Sequence, residues 1–126
     1  MSNLIIYIEL HKERSFNFEN KILSHIKETH PNDTLLDLDN FSSPELFKYT
    51  LDACQEADHL ILIINSKEKN TPLGPVLSFV NKSIRSNKLK ISSYLIGENQ
   101  TAKKMLARTK SLKTNIAIDF LKSDRL

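Results

Sequence analysis

Short apolar runs alternate with amphipathic stretches along this chain, and that rhythm constrains its fold more than any other feature. The runs are Leu4 to Leu10, Thr34 to Leu38, His59 to Ile64, Ile91 to Ile96 and Asn115 to Ile118, and each gap between them can hold a helix. Parallel strands need long crossover connections, and helical crossovers end up on the sheet faces. The alternation therefore predicts a doubly wound, five-stranded parallel sheet in three layers. Such sheets take their ligands at the carboxyl ends of the strands, where the strand order reverses. The loops to inspect are Glu9 to Asn17, Asn40 to Ser43, Asn65 to Thr71 and Gly97 to Thr101.

With 126 residues and 40% hydrophobic content, the chain has material for one compact core and too little for two, so residues 1–126 read as a single domain. No apolar run approaches the roughly 20 residues that cross a bilayer. The expectation is a soluble, cytoplasmic protein with no membrane partner. Cys54 is the only cysteine, placed between Ala53 and Ala57 where a buried, structural thiol fits. Net charge is +3 but unevenly spread: residues 1–81 hold 7 Lys and Arg against 12 Asp and Glu, while residues 82–126 hold 11 against 3. A basic run of this kind is a solvated helix face or a docking surface for a phosphate group, an acidic partner or nucleic acid. No aromatic residue is interleaved within the two basic clusters, Lys82 to Lys90 and Lys103 to Lys113, which weakens a single-stranded nucleic-acid reading.

Helix signals punctuate the gaps. The first helix should begin near Ser15 or Asn17, bury Phe18, Ile22, Leu23 and Ile26, and stop before Pro31. Ser42-Ser43-Pro44-Glu45 combines a capping hydroxyl with a first-turn proline, and Leu46, Thr50, Ala53 and Ala57 would then face one way. Thr71-Pro72 should open a third helix burying Leu73, Val76, Leu77, Val80 and Ile84, with Pro75 still in its first turn. A fourth, from about Asn99 to Leu112, should bury Ala102, Met105, Leu106 and Thr109.

The candidate ligand residues come from those loops. With only Gly74 and Gly97, neither a Walker loop nor a glycine-rich dinucleotide loop can be written. Asn65-Ser66-Lys67-Glu68-Lys69-Asn70-Thr71 follows the most apolar run and precedes a helix start. Asn70 and Thr71 either cap that helix or border a ligand. Gly97-Glu98-Asn99-Gln100 carries the same pair of readings. His11 lies with Arg14 and Ser15 in the first loop, where the three could form an anion pocket. No two histidines share metal-ligand spacing, so no metal is expected.

Ile6-Tyr7, a six-residue interval and Arg14-Ser15 leading into a helix resemble the first loop of the flavodoxin-like NAD(P)H:quinone oxidoreductases and NADPH-dependent FMN reductases. Glu56 to Ile64, Thr71-Pro72-Leu73 and Phe79-Val80-Asn81-Lys82 are similar to the third strand and following helix of that family, and the likeness covers about residues 3–100. The resemblance implies a flavodoxin-like fold of strand order 2-1-3-4-5, an FMN cofactor and a nicotinamide nucleotide as hydride donor. It also implies site residues: His11, Arg14, Ser15 and Asn17 at the flavin phosphate, Asn65, Ser66, Asn70 and Thr71 beside the ring, and Gly97, Glu98 and Asn99 closing the far side. Lys67 or Lys69 beside the ring would favour its reduced anion. The chain departs from the family where a histidine-proline pair becomes Glu9-Leu10, where ring-contacting aromatics become Ser66 to Lys69, and where a glycine pair becomes Gly97 alone.

Two other occupants of this architecture fail on the residues. A phosphoacceptor domain needs clustered aspartates where this chain has Glu9 and Asn65, and glycosidic cleavage needs an acid between Leu73 and Ile84, where none occurs. The sequence thus supports an FMN-dependent oxidoreductase or, in another class, a cofactor-free flavodoxin-like interaction module. The basic C-terminal third of such a module would meet an acidic partner or the acidic half of a second copy, as in a homodimer.

Overall fold

The computed structural model describes residues 3–11, 21–66, 68–85, 90–109 and 112–114. Along the chain run β1 (Asn3–Leu10), α1 (Lys21–Thr29), β2 (Thr34–Asp39), α2 (Pro44–Glu56), β3 (His59–Ser66), α3 (Pro75–Arg85), β4 (Lys90–Gly97), α4 (Gln100–Leu106), a 3-10 turn (Ala107–Thr109) and β5 (Lys113–Thr114). The sheet is parallel throughout in the order β2-β1-β3-β4-β5. This is the expected flavodoxin-like α/β arrangement.

Two apolar clusters fill the space on either side of the sheet. Leu4, Ile6, Ile8, Leu60, Leu62 and Ile64 pack with Phe47 and Cys54 of α2, with Val76, Phe79 and Val80 of α3, and with Ala102, Met105 and Leu106 of α4. On the opposite face, Ile5, Tyr7, Ile61, Ile63 and Tyr94 pack with Ile22, Leu23 and Ile26 of α1. Alternate side chains of one strand serve opposite layers, so β1 and β3 must be apolar at nearly every position. Each fully buried aliphatic side chain contributes about 1.5–3 kcal/mol relative to exposure. The Phe47 and Phe79 rings, 5.4 Å apart between centroids, join α2 to α3. Among the described residues no helix is long and apolar enough to cross a membrane.

Several boundaries and faces differ from the sequence expectation. Ser43 does cap α2, accepting the Leu46 amide with Pro44 in the first turn, but the buried stripe is Phe47, Thr50 and Cys54. Leu46 is 37% exposed, and Ala53 and Ala57 are only half-buried. The larger Phe47 takes the core position. On α3, which starts at Pro75 rather than Thr71, Phe79 displaces Leu77 from the core in the same way, and Leu77 is 41% exposed. Regular α-helix in the fourth segment ends at Leu106, well short of Leu112, and tightens into the 3-10 turn. There the Thr109 hydroxyl donates to the Leu106 carbonyl and pairs with Ser93 at 2.7 Å. The described part of β5, Lys113–Thr114, pairs with Tyr94 and Leu95; Asn115 to Ile118, the start of the first helix and Phe18 lie outside the described residues.

Candidate functional site

The strand order reverses between β1 and β3, whose carboxyl ends lie side by side with Glu9 opposite Asn65 and Leu10 opposite Ser66. Period-two alternation sends Tyr7, Glu9 and Asn65 towards the α1 face and Ser66 towards the other. On the α1 face they form a buried polar chain. The Asn65 amide donates to the Tyr7 hydroxyl at 2.9 Å, and that hydroxyl donates to Glu9 Oε2 at 2.8 Å. Glu9 is 4% exposed, and its Oε1 lies 3.1 Å from His11 Nε2. A buried carboxylate demands such partners, because desolvation without them costs several kcal/mol.

Asn40, just beyond β2, holds His11 from the other side. Its Oδ1 accepts the His11 amide at 3.0 Å, and its Nδ2 donates to the carbonyls of His11 at 2.8 Å and Pro72 at 3.2 Å. One side chain therefore ties together the loops after β1, β2 and β3. Next to it, Asp39 accepts the Phe41 amide, and Asp37 stands exposed on the β2 edge. Partial burial, then the charges of Glu9 and Asp39, raise the Asp37 carboxyl above its ordinary range, with Lys27 and His11 opposing.

Between β3 and β4 the rim is closed by its own hydrogen bonds. The Asn70 amide donates to the Glu98 carbonyl at 2.9 Å, and the Gln100 amide donates to Asn70 Oδ1 at 3.0 Å. Asn70 itself is left-handed, with φ 55°. Asn99 caps α4 by accepting the Ala102 amide, while its own amide donates to the Thr71 carbonyl at 2.7 Å and to Ser66 Oγ at 3.3 Å. The Ser66 and Thr71 hydroxyls both donate to the Glu68 carbonyl. Lys69 lies 3.6 Å from Glu98 at the surface. Outside this closure lies an open cleft of about 270 Å³, bordered by Asn70, Glu98, Gln100, Lys103 and Thr114.

The residues predicted from sequence thus separate into two groups. His11 and Asn65 belong to the polar chain under the β1–β3 junction, whereas Ser66, Asn70, Thr71, Gly97, Glu98 and Asn99 form the β3–β4 rim. Arg14, Ser15, Asn17 and Lys67 lie outside the described residues. Of the paired loop readings, Asn70 and Thr71 do not cap α3, which starts four residues past Thr71, but Asn99 does cap α4. Sequence reading missed the roles of Tyr7 and Asn40. A tyrosine and a glutamate at alternating positions of an otherwise apolar strand are the signal for the first; no local signal announces the three-loop bond of Asn40.

Two features of the described residues bear on a flavin mononucleotide. Glu9 sets a buried carboxylate at the end of β1, and rim groups that could meet a ring are bonded to one another. Among the described residues no group of three or more His, Cys, Asp and Glu side chains could hold a metal ion. No family model matches the chain, and no curated protein or solved structure is significantly similar to it.

Proposed function

We propose that this chain is a cofactor-free, flavodoxin-like interaction module that docks an acidic partner through the cationic surface of α3 and α4. The observation that carries this reading is the closure of the β3–β4 rim, where the Asn70 amide and Glu98 carbonyl satisfy each other rather than facing a ligand. Support for the partner's charge comes from the helices beside it. Lys82, Arg85, Lys103, Lys104 and Arg108 are exposed, and neither α3 nor α4 carries an acid. Arg108 donates to Asn81 at 3.0 Å, which joins the two helices into one surface. Lys82 and Arg85 also complement the carbonyls of the last turn of α3. Lys103 and Lys104 project where a partner carboxylate can meet them. Poly-L-glutamate binding followed by calorimetry tests the reading. Binding should occur at low salt and weaken by at least about tenfold near 0.3 M NaCl; no binding at low salt would refute it.

A second reading keeps the flavin. It is favoured by the strand order and by the cleft beside Gly97 to Asn99, which opens at the carboxyl end of β4, on the same rim of the sheet as the β1–β3 junction. His11, Arg14, Ser15 and Asn17 would then hold the phosphate, with Asn65 to Thr71 and Gly97 to Asn99 around the ring. The flavin would supply hydride transfer between a nicotinamide nucleotide and a quinone or second flavin. Yellow protein as purified, or saturable micromolar FMN binding, supports this oxidoreductase; colourless protein that leaves FMN fluorescence unchanged rejects it.

A further inference from the structure

The strand order turns the charge split of the sequence into a split across the molecule. Residues 1–81 build β2, β1 and β3 with α1 and α2, while residues beyond 82 build β4, α4 and the described part of β5. In the helical layer α2, α3 and α4 lie in contact in that order. Along it the charges change sign. Helix α2 carries Glu45, Asp52 and Glu56 against Lys48; α3 carries Lys82 and Arg85; α4 and its 3-10 turn carry Lys103, Lys104 and Arg108. The sheet edges repeat the pattern, with Asp37 and Asp39 on β2 and Lys113 on β5. Four strand spacings set these edges about 19 Å apart.

The acidic side also exposes apolar surface. Lys48, Leu51, Asp52 and Gln55 face the crevice between α2 and α3. At 100° per residue, the flank carrying Leu46 and Tyr49 therefore faces away from α3. Tyr49 is 63% exposed, Leu46 is exposed one turn before it, and Phe41 is exposed in the turn that precedes α2. An apolar centre rimmed by carboxylates suits a partner whose surface is cationic, and an exposed tyrosine ring adds a face for a Lys or Arg head group.

Resting on the interaction-module reading, we infer that the acidic partner is a second copy of this chain, whose α4 flank (Lys103, Lys104 and Arg108) docks against the α2 flank (Glu45, Leu46, Tyr49 and Glu56). The contact is head-to-tail. Each copy keeps one unused flank of each sign, so the association extends beyond a dimer unless its rotation closes a ring. Both flanks are made of surface side chains, so either can be inverted without touching the core.

Sedimentation velocity on three proteins tests this: wild type, K103E/K104E, and E45K/E56K, each first shown folded by circular dichroism. In roughly 10 mM NaCl, where the Debye length of about 30 Å spans the molecule, wild type should form species larger than monomer. Association should weaken by at least about tenfold near 0.3 M NaCl. Each variant alone carries the same net sign on α2 and on α4 with its 3-10 turn, and should remain monomeric. An equimolar mixture of the two should associate again. A monomeric wild type together with a monomeric mixture overturns the inference, and association of either variant alone at wild-type strength does the same. Poly-L-glutamate binding by the same wild-type sample separates the failures: if it persists while self-association is absent, the second copy is wrong and the module stands.

Discussion

Gly97 and Ser66 are register partners at the ends of β4 and β3, and a β-carbon on Gly97 would run into the Ser66 carbonyl oxygen. Gly97 also has φ 86°, a conformation that side chains disfavour. Both the steric contact and the backbone strain oppose any larger residue. Gly97→Ala should therefore destabilise the fold by on the order of 2 kcal/mol or more. Gly74 shares the positive φ, at 57°, but a β-carbon there would stand 3.5 Å from the Asn40 carbonyl, an ordinary contact. Gly74→Ala should cost only about 1–2 kcal/mol, the left-handed penalty alone. Urea midpoints of the two variants provide the comparison, and an equal loss would show that the close approach to Ser66 has no energetic weight.

Asn99 joins three backbone or side-chain groups from a position 4% exposed. Its oxygen caps α4 and its amide reaches Thr71 and Ser66. Replacing it with alanine removes a cap worth about 1 kcal/mol and leaves buried acceptors unfilled at about 1–3 kcal/mol. Asn99→Asp preserves the cap but sets a carboxylate against the Thr71 carbonyl. Both variants should be destabilised, with Asp no better than Ala despite its stronger capping, in urea unfolding at pH 7. A near-wild-type Asp variant would mean that the amide bond to Thr71 contributes little.

The strands are legible in the sequence because a sheet covered on both faces needs continuous apolar runs, and β1 and β3 have them. Strand order follows from the resemblance rather than from any single residue. Helix faces are less legible where a leucine and a phenylalanine lie within two positions of each other: Leu46 against Phe47, and Leu77 against Phe79, are decided by which ring fits between α2 and α3. The rim is the least legible part. Asn40, Asn70 and Asn99 each bond across loops about 30 residues apart, and no local pattern records a bond of that span.

Cys54 sits 2% exposed between α2 and the core, and burial pushes its thiol up to about 11, with a Ser83 hydrogen bond pulling the other way. The thiolate is the reactive form, so native protein at pH 8 should react with a disulfide reagent far more slowly than urea-unfolded protein. Linkage gives a second consequence. The folded state holds the thiol proton more tightly than the unfolded state, whose value is near 9.0. The resulting stability is complete below that value and is lost as pH rises towards about 11. Cys54→Ala should abolish this alkaline component of the pH–stability curve. Rapid labelling of native protein would instead indicate an open path to the thiol between α2 and α3.

Asp37 presents the opposite case, a carboxylate held where its charge is unwelcome. Partial burial is the largest cause of its raised value, followed by Glu9 and Asp39. Raising a carboxyl above its unfolded value means that the folded state gains a proton more readily than the unfolded one. The ionised group therefore weakens the fold at neutral pH, and the penalty is relieved as pH falls through the raised value towards 3.8. Asp37→Asn removes the charge at every pH. It should stabilise the protein at pH 7 by less than about 1 kcal/mol, since the site is exposed and solvent screens it. The gain should shrink on acidification and vanish below the ordinary carboxylate range. Urea unfolding of wild type and variant from pH 3 to pH 7 measures the difference directly. A variant less stable than wild type at neutral pH would mean that Lys27 and His11 hold the carboxylate more strongly than Glu9 and Asp39 repel it.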